Sequence, residues 1–140
     1  MIYLIGSLRN SKIPLIANQI REATGEEVFD DWFSPGPTTD DEWQRHEGIR
    51  GRNFKEALEG WHARDIFEFD KKHLIRARVA VLASPAGKSA HLELGYVIGM
   101  GKPGFIYMPE EPDRFDVMLQ FATAICRDME DLVRCLKWKN

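Results

Sequence analysis

Glu93 is the residue in this chain whose surroundings best suit it for chemistry. It follows the apolar run Val79-Ala80-Val81-Leu82-Ala83 and the turn Ser84-Pro85-Ala86-Gly87-Lys88. Beyond that turn the spacing predicts a helix over Ala90 to Met100, with Ser89 as its N-cap. A carboxylate in the first turn of a helix is favoured in its ionised form by the helix dipole and can face a cleft at the strand end. An ionised, positioned carboxylate is a competent nucleophile toward a sugar carbon. The same placement also describes a surface glutamate that merely complements the dipole. A second loop, Gly6-Ser7-Leu8-Arg9-Asn10-Ser11, offers backbone N–H groups, two hydroxyls and a guanidinium, a set suited to phosphate or sugar hydroxyls. A glycine turn with solvent-facing polar residues reads the same way.

Other chemistry-bearing patterns fail on inspection. Gly87-Lys88-Ser89 copies the end of the triphosphate-binding loop GxxxxGK[ST], but Leu82 stands where the first glycine must be, so the loop is too short to wrap phosphates. Gly99-Met100-Gly101 lacks the rest of a dinucleotide fingerprint and reads as a helix end. Cys126 and Cys135 form no CxxC pair and have no histidine cluster nearby, which argues against a disulfide framework and a zinc site. His46, His62, His73 and His91 share no spacing with a nucleophile. They read as surface or helix-packing residues, with His91 close enough to tune Glu93.

The elements that must position these groups alternate between strand and helix. Ile2 to Ile5 is a buried strand ending at Gly6, and Pro14 to Ala23 has helical spacing. A short strand is expected at Glu27 to Phe29, then a long loop from Asp30 to Pro37 whose prolines and glycine exclude regular structure. Asp40 to Ala77 predicts two helices, with Gly48, Gly51 and Gly60 as breaks. Residues 79–83, apolar without interruption, predict a central parallel strand covered by helices on both faces. Further strands at Phe105 to Met108 and Ala122 to Cys126, and a helix from Asp128 to Trp138, complete the pattern. The fold expected is α/β, one domain with a doubly wound, Rossmann- or flavodoxin-like parallel sheet of about five strands.

The 140 residues, 44% of them apolar, suffice for one globular core. A net charge of −3 with no strongly basic stretch turns the search toward small ligands and away from nucleic acid polymers. The opening apolar run is too short for a signal sequence and lacks its charged front, and no apolar stretch approaches the length needed to span a membrane. A cytosolic protein with no membrane partner is expected.

Three segments resemble the nucleoside 2-deoxyribosyltransferase family and its relatives, the deoxynucleoside 5′-monophosphate N-glycosidases. They are Tyr3-Leu4-Ile5-Gly6-Ser7-Leu8-Arg9; Asp70, ahead of the central strand; and Ser89-Ala90-His91-Leu92-Glu93-Leu94-Gly95-Tyr96 with Gly101-Lys102-Pro103. The last is the most specific. The resemblance implies that Glu93 attacks C1′ of the sugar, that Asp70 orients the substrate or helps proton transfer to the leaving base, and that Tyr3 lies at the sugar. On local sequence, Asp70 also reads as a surface acid paired with Lys71, Lys72 or a neighbouring arginine, and Tyr3 as plain core. Substrate contacts are expected from Gly6, Ser7, Arg9, Trp32, Ser84, Gly87 and Ser89, with Trp32 either stacking on the base or clamping its loop. Lys88 could meet a phosphate. The resemblance further implies no metal or other cofactor, and at least a dimer whose partner helps enclose the site. Trp43, Trp61 and Trp138 are candidate interface aromatics.

Two departures keep other functions open. Family members place an acidic residue or a serine in the loop before the glutamate, whereas this chain has Pro85-Ala86-Gly87-Lys88, leaving Ser84 or Ser89 as substitutes. The segment from Asp30 to Arg52, with Trp32 and Trp43, does not match the well-characterised members. A catalytically silent nucleotide-binding or sensing module on the same fold is the principal alternative. Glycosidic cleavage of a dinucleotide cofactor such as NAD is the third.

Overall fold

In the computed structural model, which describes residues 1–138, five parallel strands form one sheet: β1 (Ile2–Ile5), β2 (Val28–Phe29), β3 (Val79–Ala83), β4 (Gly104–Tyr107) and β5 (Ala124–Cys126). Their order is β2-β1-β3-β4-β5, the doubly wound arrangement, with Ile2 opposite Val79 and Ala80 opposite Gly104. The sheet is flanked by six helices among the described residues: α1 (Ile13–Thr24), α2 (Thr39–Ile49), α3 (Phe54–Leu58), α4 (Trp61–Arg76), α5 (Lys88–Gly99) and α6 (Met129–Lys137). None is long and apolar enough to cross a membrane.

The two-residue period of the strands sorts the core into two layers. Ile2, Leu4, Val79 and Val81 point to one face and meet Ile13, Ile16 and Ile20 of α1 and Leu132 and Leu136 of α6. Tyr3, Ile5, Ala80 and Leu82 point to the other and meet Leu74 of α4 and Ala90, Leu94 and Val97 of α5. β3 is buried at all five positions, as its unbroken apolar run requires of a central strand. α3 and α2 continue outward from α4.

Several boundaries differ from the sequence expectation. The region 39–76 folds as three helices, because Asn53 and Glu56 form a reciprocal capping box that starts the short α3, and Gly60 separates it from α4. The proline-rich loop holds a 3-10 turn at Asp31–Phe33. β5 begins at Ala124, two residues later than expected. α5 begins at Lys88 and its N-cap is Gly87, so Ser89 is an exposed residue inside the first turn and caps nothing.

Lys102 closes the C-terminal end of α4 by donating to the carbonyls of Ile75 and Ala77, the latter at 2.7 Å. A cation is well placed among the unpaired carbonyls of a helix end. Trp43 stacks on His62 with ring centroids 6.3 Å apart, and the buried Glu47 accepts from Arg52 at 3.2 Å. Trp43, a candidate interface aromatic by sequence, thus packs within the chain, His62 is a helix-packing residue, and both contacts tie α2 to its neighbours. The Cys126 and Cys135 sulfurs lie 3.8 Å apart as free thiols, and burial pushes Cys126 up to about 12.

Gly104 shows how tightly α5 seats on the sheet. A Cβ there would lie 2.8 Å from side-chain carbons of both Leu94 and Ile98. Gly104→Val is therefore expected to destabilise by about 1–3 kcal/mol through overpacking. Gly48, with open space around it inside α2, is the contrast: Gly48→Ala should stabilise by about 0.5–1 kcal/mol. Urea unfolding midpoints of the two variants check both signs.

Candidate functional site

Three ionisable side chains converge on the face of the sheet covered by α4 and α5. Tyr3 comes from β1 and is 1% exposed; Glu93 comes from the second turn of α5 and Asp70 from the middle of α4, both partly buried. The Tyr3 hydroxyl hydrogen-bonds to the Glu93 carboxylate, and the charges of Glu93 and Asp70 both act on Tyr3. Burial, reinforced by those two carboxylates, drives the Tyr3 hydroxyl far above its ordinary range, so it stays protonated and donates.

Glu93 differs from the sequence expectation in both place and charge. It lies one turn beyond the helix start, where the dipole has faded, and burial together with the charge of Asp70 raises it to about 7. The Tyr3 hydrogen bond opposes that rise. Burial likewise raises Asp70 to about 6, opposed by the charge of His73. Asp70 forms no ion pair with Lys71 or Lys72 among the described residues. Asp70 therefore loses its proton before Glu93, so a single proton on the pair rests mainly on Glu93, and the form with Glu93 ionised and Asp70 protonated, which a nucleophile and a proton donor at these places require, is the less populated of the two.

His73, a surface or helix-packing residue by sequence, acts on the site through its charge on Asp70. Its ring stacks on Phe29 with centroids 4.1 Å apart, its Nδ1 lies 2.8 Å from the Phe69 carbonyl, and Phe29 in turn packs against Tyr3 at 5.0 Å. The spacing of Asp70 and His73, three apart on one helix, was the available signal. His91, expected to tune Glu93, has its Nδ1 2.7 Å from the Gly87 carbonyl and has no part in the shift of Glu93.

At the carboxyl ends of β1 and β3 lies a cavity of about 390 Å³ lined by Ser7, Arg9, Lys12, Pro85 and Gly87, among others. This is the crevice between the strands where the winding reverses, the usual ligand position in such sheets. Its charge comes from Arg9 and Lys12. The backbone amides expected to face a ligand are partly used within the loop: Arg9 donates to Ser7 Oγ at 3.1 Å, Lys12 to Asn10 Oδ1 at 3.0 Å, and Asn10 to the Ser7 carbonyl at 3.0 Å. Side chains thus carry the anion-binding potential, and Lys12, which spacing did not single out, is one of them.

The remaining expected contacts are dispersed. Ser84 lines a second, larger cavity on the α1 side, next to Pro85, whose preceding peptide bond is cis. Trp32 donates from its indole N–H to the Leu4 carbonyl at 2.7 Å and packs against both core layers, which clamps the 30–37 loop across the end of β1. Gly6 accommodates that arrangement, since a Cβ there would lie 2.6 Å from Ile13 and 3.4 Å from the Trp32 ring. Ser89 and Gly6 line neither cavity. Among the described residues no group of three or more His, Cys, Asp or Glu is arranged to hold a metal. Neither a protein-family model nor a curated protein sequence matches this chain.

Proposed function

We propose that this protein cleaves or exchanges the N-glycosidic bond of a 2′-deoxynucleoside or its 5′-monophosphate. The observation that carries the reading is the convergence of Tyr3, Asp70 and Glu93, from three separate elements, on one semi-buried point; the basic crevice is lined by none of the three and is reached from them along α5. The Tyr3 ring packs in the core against Phe29, but that packing does not call for two carboxylates near its hydroxyl.

Cleavage builds positive charge on the sugar and negative charge on the base, so it calls for a carboxylate at C1′ and a proton at the base. Glu93, ionised, attacks C1′. The C1′–N bond breaks with its electron pair passing to the base nitrogen, which takes the proton held by Asp70. A Glu93–deoxyribosyl ester results. Water then attacks C1′, gives its proton back to Asp70 and frees the sugar; a second base attacking in place of water completes an exchange. Tyr3 holds the Glu93 carboxylate in position, and Arg9 and Lys12 offer charge to a 5′-phosphate.

The helices that carry Asp70 and Glu93 also expose Trp61, Phe67, Leu92 and Tyr96, with Trp61 84% and Leu92 75% accessible. That much apolar surface around a site supports an assembly of at least two copies closing over it. Two thiols held free 3.8 Å apart support a reducing, cytosolic setting.

The test is release of free base from a panel of deoxynucleosides and their 5′-monophosphates, with and without a second base. Release is expected, fastest for monophosphates; exchange in the second arm separates a transferase from a hydrolase. Binding without any turnover would replace this reading with a silent nucleotide-binding module.

A further inference from the structure

We propose that the ligand of this site is a nucleotide whose 5′-phosphate is esterified with a neutral or cationic organic group, and that this group occupies the larger cavity between α1 and residues 109–113. The proposal rests on the nucleotide reading above and extends it to the substrate class.

The two cavities adjoin, since Asn10, Lys12 and Pro85 line both. The larger one, about 720 Å³, falls within the range of small-molecule sites. It cannot serve the sugar or the base. Leu15 and Ile16 of α1 form part of its wall, which puts it on the α1 side of the sheet, whereas Glu93 and Asp70 work on the α4 and α5 side. Gly87, at the rim of the basic crevice, precedes Glu93 by about 9 Å of helix rise along α5, a span of the order that the glutamate side chain, a deoxyribose and its 5′-phosphate cover together. A ligand with its C1′ at Glu93 therefore brings its phosphate to Arg9 and Lys12, and anything attached to that phosphate continues into the larger cavity.

The walls also state what kind of attachment fits. Leu15, Ile16, Pro109 and Pro112 supply apolar surface, while Gln19 and Tyr107 supply hydrogen-bonding groups. The charges are mostly acidic: Glu110, Glu111 and Asp113 against Lys12, with Glu111 held by Arg127 at 2.9 Å. Further phosphates would meet like charge there, whereas a neutral or cationic group would not.

Calorimetric titration of the Glu93→Gln chain, which leaves ligands intact, tests this with each deoxynucleoside 5′-monophosphate, its 5′-diphosphate and its 5′-(6-aminohexyl) phosphodiester. The phosphodiester should bind at least about tenfold more tightly than the monophosphate, the gain from burying a few methylenes and placing an amine among carboxylates. The diphosphate should bind more weakly than the phosphodiester. Adding Leu15→Trp, at an exposed α1 position that the fold tolerates, should fill the cavity and erase that gain while leaving monophosphate affinity in place. A phosphodiester no better than the monophosphate, or a gain that survives Leu15→Trp, overturns the extension and leaves the nucleotide reading standing. Failure of all the nucleotides to bind overturns both.

Discussion

Glu93→Gln is expected to lower base release by a factor on the order of 10³–10⁴ with substrate affinity largely kept, the scale of removing a group that acts on the reacting atom. Glutamine has the same shape and can still accept from Tyr3, so the loss falls on kcat rather than on binding. The variant should also report on the cost of holding a carboxylate in this place. Glu93 is raised in the folded protein to about 7, so the folded state binds its proton more tightly than the unfolded chain does. The stability tied to that proton is fully present below the ordinary carboxylate range and is lost as pH rises through about 7. Without ligand, the wild type should thus lose on the order of 1–3 kcal/mol between pH 5 and pH 8 from this group, one pKa unit being worth about 1.4 kcal/mol. Glu93→Gln should flatten that dependence and be the more stable protein at pH 8. Chemical denaturation at the two pH values, beside single-turnover base release, measures both effects. A variant that is inactive and also unstable at pH 8 would mean that Glu93 holds the fold rather than the substrate.

The pH profile of kcat/KM carries the second large effect. Ionised Glu93 becomes more abundant as pH rises through about 7, and protonated Asp70 becomes scarcer as pH rises through about 6. The competent state needs both, so the profile should be a narrow bell with its maximum between those values. The two limbs belong to the pair rather than to either residue alone. Asp70→Asn removes the proton donor and also the negative charge that helps raise Glu93. The maximum should fall by about 10²–10⁴, the alkaline limb should disappear, and the remaining acid limb should report Glu93 alone, below about 7. A substrate whose base needs no protonation on leaving should recover most of the loss. An unaltered bell in Asp70→Asn would remove Asp70 from the reaction.

Much of this arrangement was legible before the structure, and for identifiable reasons. β3 announced itself because a strand buried on both faces has no alternation to blur, and its five residues match the expected boundaries. Tyr3, Asp70 and Glu93 were each named from the sequence, yet they lie far apart along it and only the winding of the sheet brings them together. The pKa of Glu93 shifts upward, opposite to what the helix dipole alone gives. Local sequence reports the helix dipole, whereas burial by β1 and the charge from α4 are tertiary effects that no local pattern contains. Ser89 was mistaken for the N-cap because its residue type is right; the backbone turns at Gly87 two residues earlier, with no side-chain cap at all. Trp32 and Lys12 make the same point from the other side. The indole bond to Leu4 spans 28 positions, and the cavity walls that share Lys12 come from loops on both sides of β3, so neither role follows from neighbouring residues.

The strand order has a consequence for how the chain reaches its fold during synthesis. Of the five strands β1 is made before the others, but its central partner begins at Val79, opposite Ile2, so the middle ladder cannot close until the long stretch between them has been made. At about 5–20 residues per second, Ile2 to Ile5 wait for several seconds as an apolar segment with only the two-residue β2 to pair with. Contacts of such long separation make closure slow and leave strand edges open to other chains meanwhile. Helices α1 to α4, which form from local contacts, are translated during that wait, and the arrival of β3 gathers them onto both faces of the sheet in one step.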